Sequence, residues 1–423
     1  MTVHVPAAEA PFATPAELER YADAVVQSGL AARPGELVFV HAHPGHRAFV
    51  VALAEAAYRA GARHVEPLYD DPLVQAARIR HAAPEHLGPV PPWTVRRRRA
   101  QIRPDTGTIF VDGEVEPDAL EGLPPDRVAE DFRRQVTATP WYLRAIQREE
   151  RRATVAAWPT PAWAAQVYPE DDATEGPRKL LQDLLWFCRL GPDDPPGVEG
   201  WERHARTLRD RAARLTELEL ARVELRGPGT ELSFGLSPRT QWLGGLDTGP
   251  DGREFAANMP TEETYTTPDF RRTEGTFRCS KPLSLHGRTV DGIAGEFRGG
   301  RLVGLEAATD DQREFLAAFL DTDAGARRVG ELALVDATTS RIGRSGRVYE
   351  NTLLDENAAA HFAFGFGFGV ARERGDRAGA RTVNRSSLHL DVMVGTDELE
   401  ATGVRENGSR LSLIADGAWQ LDD

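Results

Sequence analysis

Gly35-Glu36-Leu37-Val38-Phe39-Val40, the segment Arg47 to Gly61, and His64-Val65-Glu66-Pro67-Leu68-Tyr69 decide the fold of the first half. The first is a short apolar, β-branched run after a Pro-Gly turn, which predicts a buried strand. In the second, Val50, Leu53, Ala54, Ala57 and Tyr58 recur at helical spacing and Gly61 supplies the stop. The third predicts the next strand. Working outward, Asp71 to Ala82 predicts another helix, and Thr108-Ile109-Phe110-Val111 and Thr154-Val155-Ala156-Ala157 predict further strands. Between those strands the charged stretch Pro125 to Arg151 predicts one long helix. Strands alternating with helices imply a mostly parallel sheet covered by helices, with ligand crevices beyond the strand C-termini.

The texture changes after Gly191-Pro192-Asp193-Asp194-Pro195-Pro196-Gly197, a linker signal. A helix from about Val198 to Glu219 follows, with Trp201, Ala205, Leu208, Ala212, Leu215 and Leu218 along one side. From Ala221 onward come short alternating stretches cut by glycine, such as Arg222-Val223-Glu224-Leu225, Leu232-Ser233-Phe234-Gly235-Leu236 and Gly295-Glu296-Phe297-Arg298. The expected organisation is therefore an α/β N-terminal domain with a mostly parallel sheet, residues 1–220, and a β-rich α+β C-terminal domain, residues 221–423. The Arg96-Arg97-Arg98-Arg99 run, without a glycine-rich loop or interleaved aromatics, is expected to be a solvated loop.

Composition narrows the function classes. With 423 residues, 41% hydrophobic and 27% charged, the chain can bury a substantial core. Two distant cysteines, Cys188 and Cys279, exclude a disulfide scaffold and a cysteine-rich metal site. A net charge of −14 disfavours nucleic-acid binding. Nothing approaches the roughly 20 apolar residues of a membrane span. The opening Met1-Thr2-Val3-His4-Val5-Pro6-Ala7 lacks a basic region followed by an apolar run, so no signal peptide and a cytoplasmic place are expected.

Polar chemistry concentrates in four segments of the second half. In Leu388-His389-Leu390-Asp391-Val392 the histidine and the aspartate are two apart, hence on one face of a strand, and suit either a divalent metal or a buried His–Asp hydrogen bond. In Asp355-Glu356-Asn357-Ala358-Ala359-Ala360-His361 the glutamate and the histidine are five apart, about 140° around a helix, so they share a site only if Glu356 lies at or before the first turn. Glu331 enters the apolar run Leu332-Ala333-Leu334-Val335 and needs a partner there. Within Asn258-Met259-Pro260-Thr261-Glu262-Glu263-Thr264-Tyr265, only one of the adjacent glutamates can face a site from a strand. Two histidines and several carboxylates without thiolates suit two divalent ions sharing carboxylates, as in metal-assisted hydrolysis. These spacings match no short generic metal motif and name no substrate. A rival cluster, His41, His43 and His46, has no accompanying carboxylate and is expected to line a crevice or the surface.

At these segments, and at Ala54 to Ala62, Pro159 to Ala164, Arg226 to Thr230, Ser280 to Ser284, Gly325 to Glu331 and Asn351 to Ala358, the sequence resembles the metal-dependent aminopeptidases typified by aminopeptidases T and S. The resemblance spans nearly the whole chain. It implies a pair of divalent ions (zinc, cobalt or manganese) in the second domain, held by Glu263, Glu331, Glu356, His361, His389 and Asp391, with Glu262 dispensable. It also implies a homodimer, without nucleic-acid or membrane partners, that trims N-terminal residues from short peptides. Glu356 is the candidate general base. The sequence departs from the family pattern at Phe368, seven residues after His361, where the family carries a tyrosine. Phenylalanine cannot donate a hydrogen bond to a developing oxyanion, which bears on ordinary peptidase efficiency. Two other readings follow from these residues. One is a mononuclear iron(II) ring-cleaving dioxygenase using His361, His389 and Asp391, although one iron does not need Glu263, Glu331 and Glu356. The other is a catalytically weakened binding protein.

Overall fold

The structure, a computed structural model, describes residues 10–148, 150–285, 288–373 and 375–421. The opening seven residues read above lie outside the described residues. The first half is built on a parallel sheet whose strands, in spatial order, are His64–Tyr69, Leu37–Ala42, Thr106–Asp112, Arg152–Ala157 and Asn258–Met259. The last strand is contributed by the second half of the chain and runs parallel to Arg152–Ala157. Helix Arg47–Arg59 packs Phe49, Val50, Ala52, Leu53, Ala56 and Ala57 against this sheet. Tyr58, expected on that buried face, is half exposed, and its hydroxyl accepts a hydrogen bond from the Val65 backbone N–H.

Two expectations change. The long helix over 125–151 is two helices, Pro125–Thr137 and Pro140–Gln147. Thr139 between them leaves the helical region (φ −131°, ψ 69°), as the residue before a proline must when the ring crowds its backbone. The four-arginine run is helical rather than a loop, within Pro92–Gln101, and Arg98 donates to Gln135 O and Thr139 Oγ1. It is a structural fastening of this helix.

The second half pairs two antiparallel sheets. The larger runs, in spatial order, through 301–306, 294–298, 273–278, 230–235, 220–227, 400–405, 410–415 and 418–419. The smaller contains Glu263–Thr266, Val329–Val335, His361–Gly365 and His389–Met393, in that order. Phe234, Phe277 and Phe297 of the larger sheet meet Phe362 and Phe364 of the smaller at centroid separations of 5.0–6.1 Å, so the two sheets share one core. This is the α/β half plus β-rich α+β half that the sequence predicts.

A third core cluster joins the halves. Trp163, Leu180, Leu184 and Phe187 pack with Ile342, Tyr349, Leu353 and Leu354. Trp163 Nε1 donates to Tyr349 O at 2.6 Å, and Asn351 Nδ2 to Asp112 Oδ2 at 2.9 Å. The short helix Thr352–Glu356 is thus gripped from both sides. Buried Glu36 adds a second clamp, pairing with Arg152 of the first half and Arg253 of the second.

Candidate metal centre

The smaller sheet separates its two faces by parity. Its register aligns Glu263 with Val335, Tyr265 with Ala333, Ala333 with His361, Glu331 with Ala363, Ala363 with Asp391 and Gly365 with His389. The odd-numbered residues of these strands, from Glu331 onward in Val329–Val335, therefore point to one side and the even-numbered residues to the other, while a bulge just before Glu331 turns Val329 to the core side opposite Phe364. The even side carries Leu332, Leu334, Phe362, Phe364, Leu390 and Val392 into the core. On the odd side are Glu263, Tyr265, Glu331, His361, His389 and Asp391. Ala333, Ala363 and Gly365 lie between them with almost no side chain, which leaves room for the longer groups to converge.

They do converge. Glu263 Oε2 is 3.0 Å from His361 Nε2, Glu331 Oε2 is 3.1 Å from His389 Nε2, and Asp391 Oδ1 is 3.5 Å from His389 Nε2. Three overlapping trios have ligand atoms within 4.8 Å of one another: Glu263, Glu331 and His361; Glu331, His389 and Asp391; and Glu356, His361 and Asp391. All six residues singled out in the sequence are brought together. Glu356 arrives differently from the helical geometry considered for it: it ends helix Thr352–Glu356, and His361 begins the next strand. Asn357 stabilises this corner, its amide donating to Leu353 O at 2.9 Å and to Glu356 Oε1 at 3.3 Å. Glu262 faces away and pairs with Arg189 at 2.7 Å.

These residues fit divalent cations. Each imidazole turns Nδ1 to a backbone carbonyl, His361 to Ala359 O at 3.2 Å and His389 to Phe366 O at 3.0 Å. Donation from Nδ1 leaves Nε2 as the lone-pair nitrogen aimed at the carboxylates, the arrangement that orients metal-ligating histidines. Glu263 Oε2 is buried, and among the described residues no donor meets it in hydrogen-bonding geometry. Four carboxylates in a buried space need cations. Their protonation behaviour without metal expresses that need. Burial holds Glu356 well above the usual carboxylate range, with Asp391, Glu263 and Glu331 adding to the effect. Burial pushes Glu331 up to about 7 against the pull of His389. For His361, burial favours the neutral form, but the facing Glu263 carboxylate outweighs it and pushes the imidazole up to about 9.

A cavity of about 280 Å³ opens on this cluster. Phe366 and Phe368 form one wall, and the Phe368 ring meets the His389 ring edge-on at 5.2 Å. The opposite wall comes from the parallel sheet, through Phe110, Ala153 and Val155. Asp247, Tyr265 and Arg151 also line it, and the sequence reading gave them no role. Tyr265 was legible, since it follows Glu263 by two on a strand; Asp247 and Arg151 carry no local signal. His41 and His46 lie elsewhere: His41 Nε2 is 2.6 Å from Gln101 Nε2, and His46 is buried beside His43.

A family model described as thermophilic metalloprotease (M29) matches residues 14–419. Aminopeptidase T of Thermus aquaticus is 36% identical over 407 residues, covering 96% of this chain and 98% of the relative. The solved wild-type AmpT of Thermus thermophilus superposes with a TM-score of 0.86 at 35% identity, covering 97% of this chain and 100% of that one. A 2,5-dihydroxypyridine dioxygenase from Pseudomonas putida superposes with a TM-score of 0.53 at 12% identity, covering 97% of this chain and 99% of that one, a likeness of fold alone.

Proposed function

The chain belongs to the thermophilic metalloprotease family M29, and on that premise we propose that it is a metal-dependent aminopeptidase releasing N-terminal residues from short peptides. The observation that carries the proposal is the convergence of Glu263, Glu331, Glu356, His361, His389 and Asp391 on one cavity, both imidazoles offering Nε2. These six would hold two divalent ions, zinc, cobalt or manganese, with Glu331, His361 and Asp391 each common to two of the overlapping trios. When bound, such ions polarise a carbonyl and make water a better nucleophile at neutral pH. The presence of Glu263, Glu331 and Glu356 favours this over a mononuclear iron site.

The chain's own residues supply the rest. Glu356 Oε accepts a proton from the attacking water and returns it to the leaving amine. Asp247 offers a carboxylate to the substrate's α-ammonium. Phe366 and Phe368 exclude bulk water and carry no donor. The catalytic half comprises residues 221–423, with 1–220 supplying the facing wall. A homodimer is part of the proposal: Tyr69, Leu73 and Val74 are exposed large apolar side chains close in sequence that a second copy would cover. So is a cytoplasmic place, which suits the free cysteines Cys188 and Cys279. Among the described residues no helix is long and apolar enough to cross a membrane.

The test is to strip the protein with a chelator, reload it with cobalt, zinc or manganese, count metal by plasma mass spectrometry, and offer aminoacyl-anilides and dipeptides. Two ions per chain and amino-acid release are expected. Release from none of a broad panel by fully loaded protein would refute the activity.

A further inference from the structure

We propose that Arg151 forms a carboxylate subsite at the parallel-sheet wall of the cavity, making the preferred substrates dipeptides with a free C-terminus. The inference rests on the aminopeptidase reading and specifies its substrate class. Arg151 directly precedes strand Arg152–Ala157. Arg151, Ala153 and Val155 share the face that lines the cavity, whereas Arg152 turns the other way to Glu36 and Leu30 O. The guanidinium lies over the Phe110 ring at 5.2 Å and the Tyr142 ring at 5.6 Å from their centroids. Stacking of this kind occupies a guanidinium's faces and leaves its in-plane N–H donors for a ligand. Its Nη1 is buried and has no hydrogen-bond partner among the described residues. A buried, unsatisfied donor on a permanent cation is costly unless something arrives to accept from it.

What arrives is constrained by charge and size. The facing wall holds Glu263, Glu331, Glu356, Asp391 and Asp247, so the cavity is acidic at one end and cationic at the other. A zwitterionic peptide matches that polarity, with its α-ammonium to the carboxylates and its α-carboxylate to Arg151 in a charge-assisted pair. At about 280 Å³ the cavity is at the small end for ligand pockets. That volume suits two residues rather than a long chain, so the carboxylate meeting Arg151 is the one directly after the scissile bond.

The experiment compares a hydrophobic dipeptide with its C-terminal amide and with an aminoacyl-anilide, on metal-loaded wild type, Arg151→Met and Arg151→Lys. Binding of an uncleavable reduced-bond dipeptide and its amide is measured in parallel by calorimetry. Wild type should prefer the free acid over the amide by about 10- to 100-fold, both in kcat/KM and in Kd. Arg151→Met should lose that preference, mainly through KM, with the free acid losing more than the amide or the anilide, while Arg151→Lys retains part of it. Equal handling of acid and amide by wild type overturns the subsite and needs no variant to fold. Equal loss on all three substrates in Arg151→Met also overturns it, as a structural effect. Arg151-dependent, acid-selective binding without hydrolysis of anything would support the subsite while refuting the peptidase reading.

Discussion

Tyr265 and Phe368 meet edge to face with ring centroids 5.5 Å apart, both on the cavity wall. The phenol that the family resemblance places at position 368 is therefore replaced by an apolar ring with a phenol beside it. Tyr265 shares the face of Glu263, and its hydroxyl lies 3.4 Å from Asp247 Oδ1. A hydroxyl so placed can donate to charge developing on a substrate oxygen, and removing one such donor costs on the order of 10²–10³ in rate. Tyr265→Phe is expected to lower kcat by about 100-fold with little change in KM or metal content. Adding Phe368→Tyr to that variant should recover part of the loss. Unchanged kcat in Tyr265→Phe would remove the phenol from the reaction. Glu356 invites a related measurement: Glu356→Gln keeps the shape and one acceptor oxygen but cannot carry the proton. It should lower kcat by about 10²–10⁴, and anilide turnover under metal saturation would show it.

The smaller sheet makes its two faces separately testable. Phe362 is fully buried among Phe234, Phe277, Phe297 and Phe364, so Phe362→Ala should cost about 3–5 kcal/mol. Denaturant melts should show that loss with and without metal. Glu331, one position before Phe362's cross-strand partner Leu332 and on the other face, should behave oppositely. Glu331→Gln removes one of four mutually repelling buried carboxylates while Asp391 still pairs with His389, so metal-free stability should change little, and it abolishes the gain that metal confers. A loss of metal-free stability comparable to that of Phe362→Ala would contradict the two-faced sheet. This parity is also why the site was largely legible in the sequence. Two-residue spacing placed His389 with Asp391 and forced a choice between Glu262 and Glu263, and the family resemblance supplied the rest. Glu356 was harder, because the corner at Asn357 that turns it toward His361 is tertiary. The βα alternation of the first half was legible from its periodicity. The break at Thr139-Pro140 and the helical arginine run were not, since a charged stretch of that composition suits a long helix or a loop until its partners, Gln135 and Thr139, are known.

At the scale of the molecule, the halves are held by buried polar contacts as well as by the shared core, and this gives stability a pH dependence with a definite sign. His204, on helix Glu199–Glu217, lies with Nε2 2.8 Å from Thr261 O, close to Glu262, on the approach to the Glu263 strand. Burial, with the Arg189 charge adding to it, pushes the imidazole down to about 4. In the unfolded chain it titrates near 6.5. The folded state therefore binds the proton less well than the unfolded one. The stabilisation is complete above 6.5 and is lost as pH falls from there to about 4, a loss of about 3 kcal/mol. His46, buried in the first half and also pushed down to about 4, behaves alike. Glu114, next in sequence to Gly113, whose backbone His46 faces, and pushed up to about 7 by burial and Asp112, acts oppositely. Its ionisation destabilises the fold at neutral pH, and protonation relieves this as pH falls toward 4.5, offsetting part of the His46 loss. His204→Gln keeps a side-chain amide that can donate to Thr261 O and removes the titration. Wild-type stability, read from urea midpoints at pH 7.5, 6, 5 and 4, should fall more steeply than that of His204→Gln. The two curves should draw together by about 3 kcal/mol across that range, and parallel curves would place the acid-sensitive contact elsewhere in the fold.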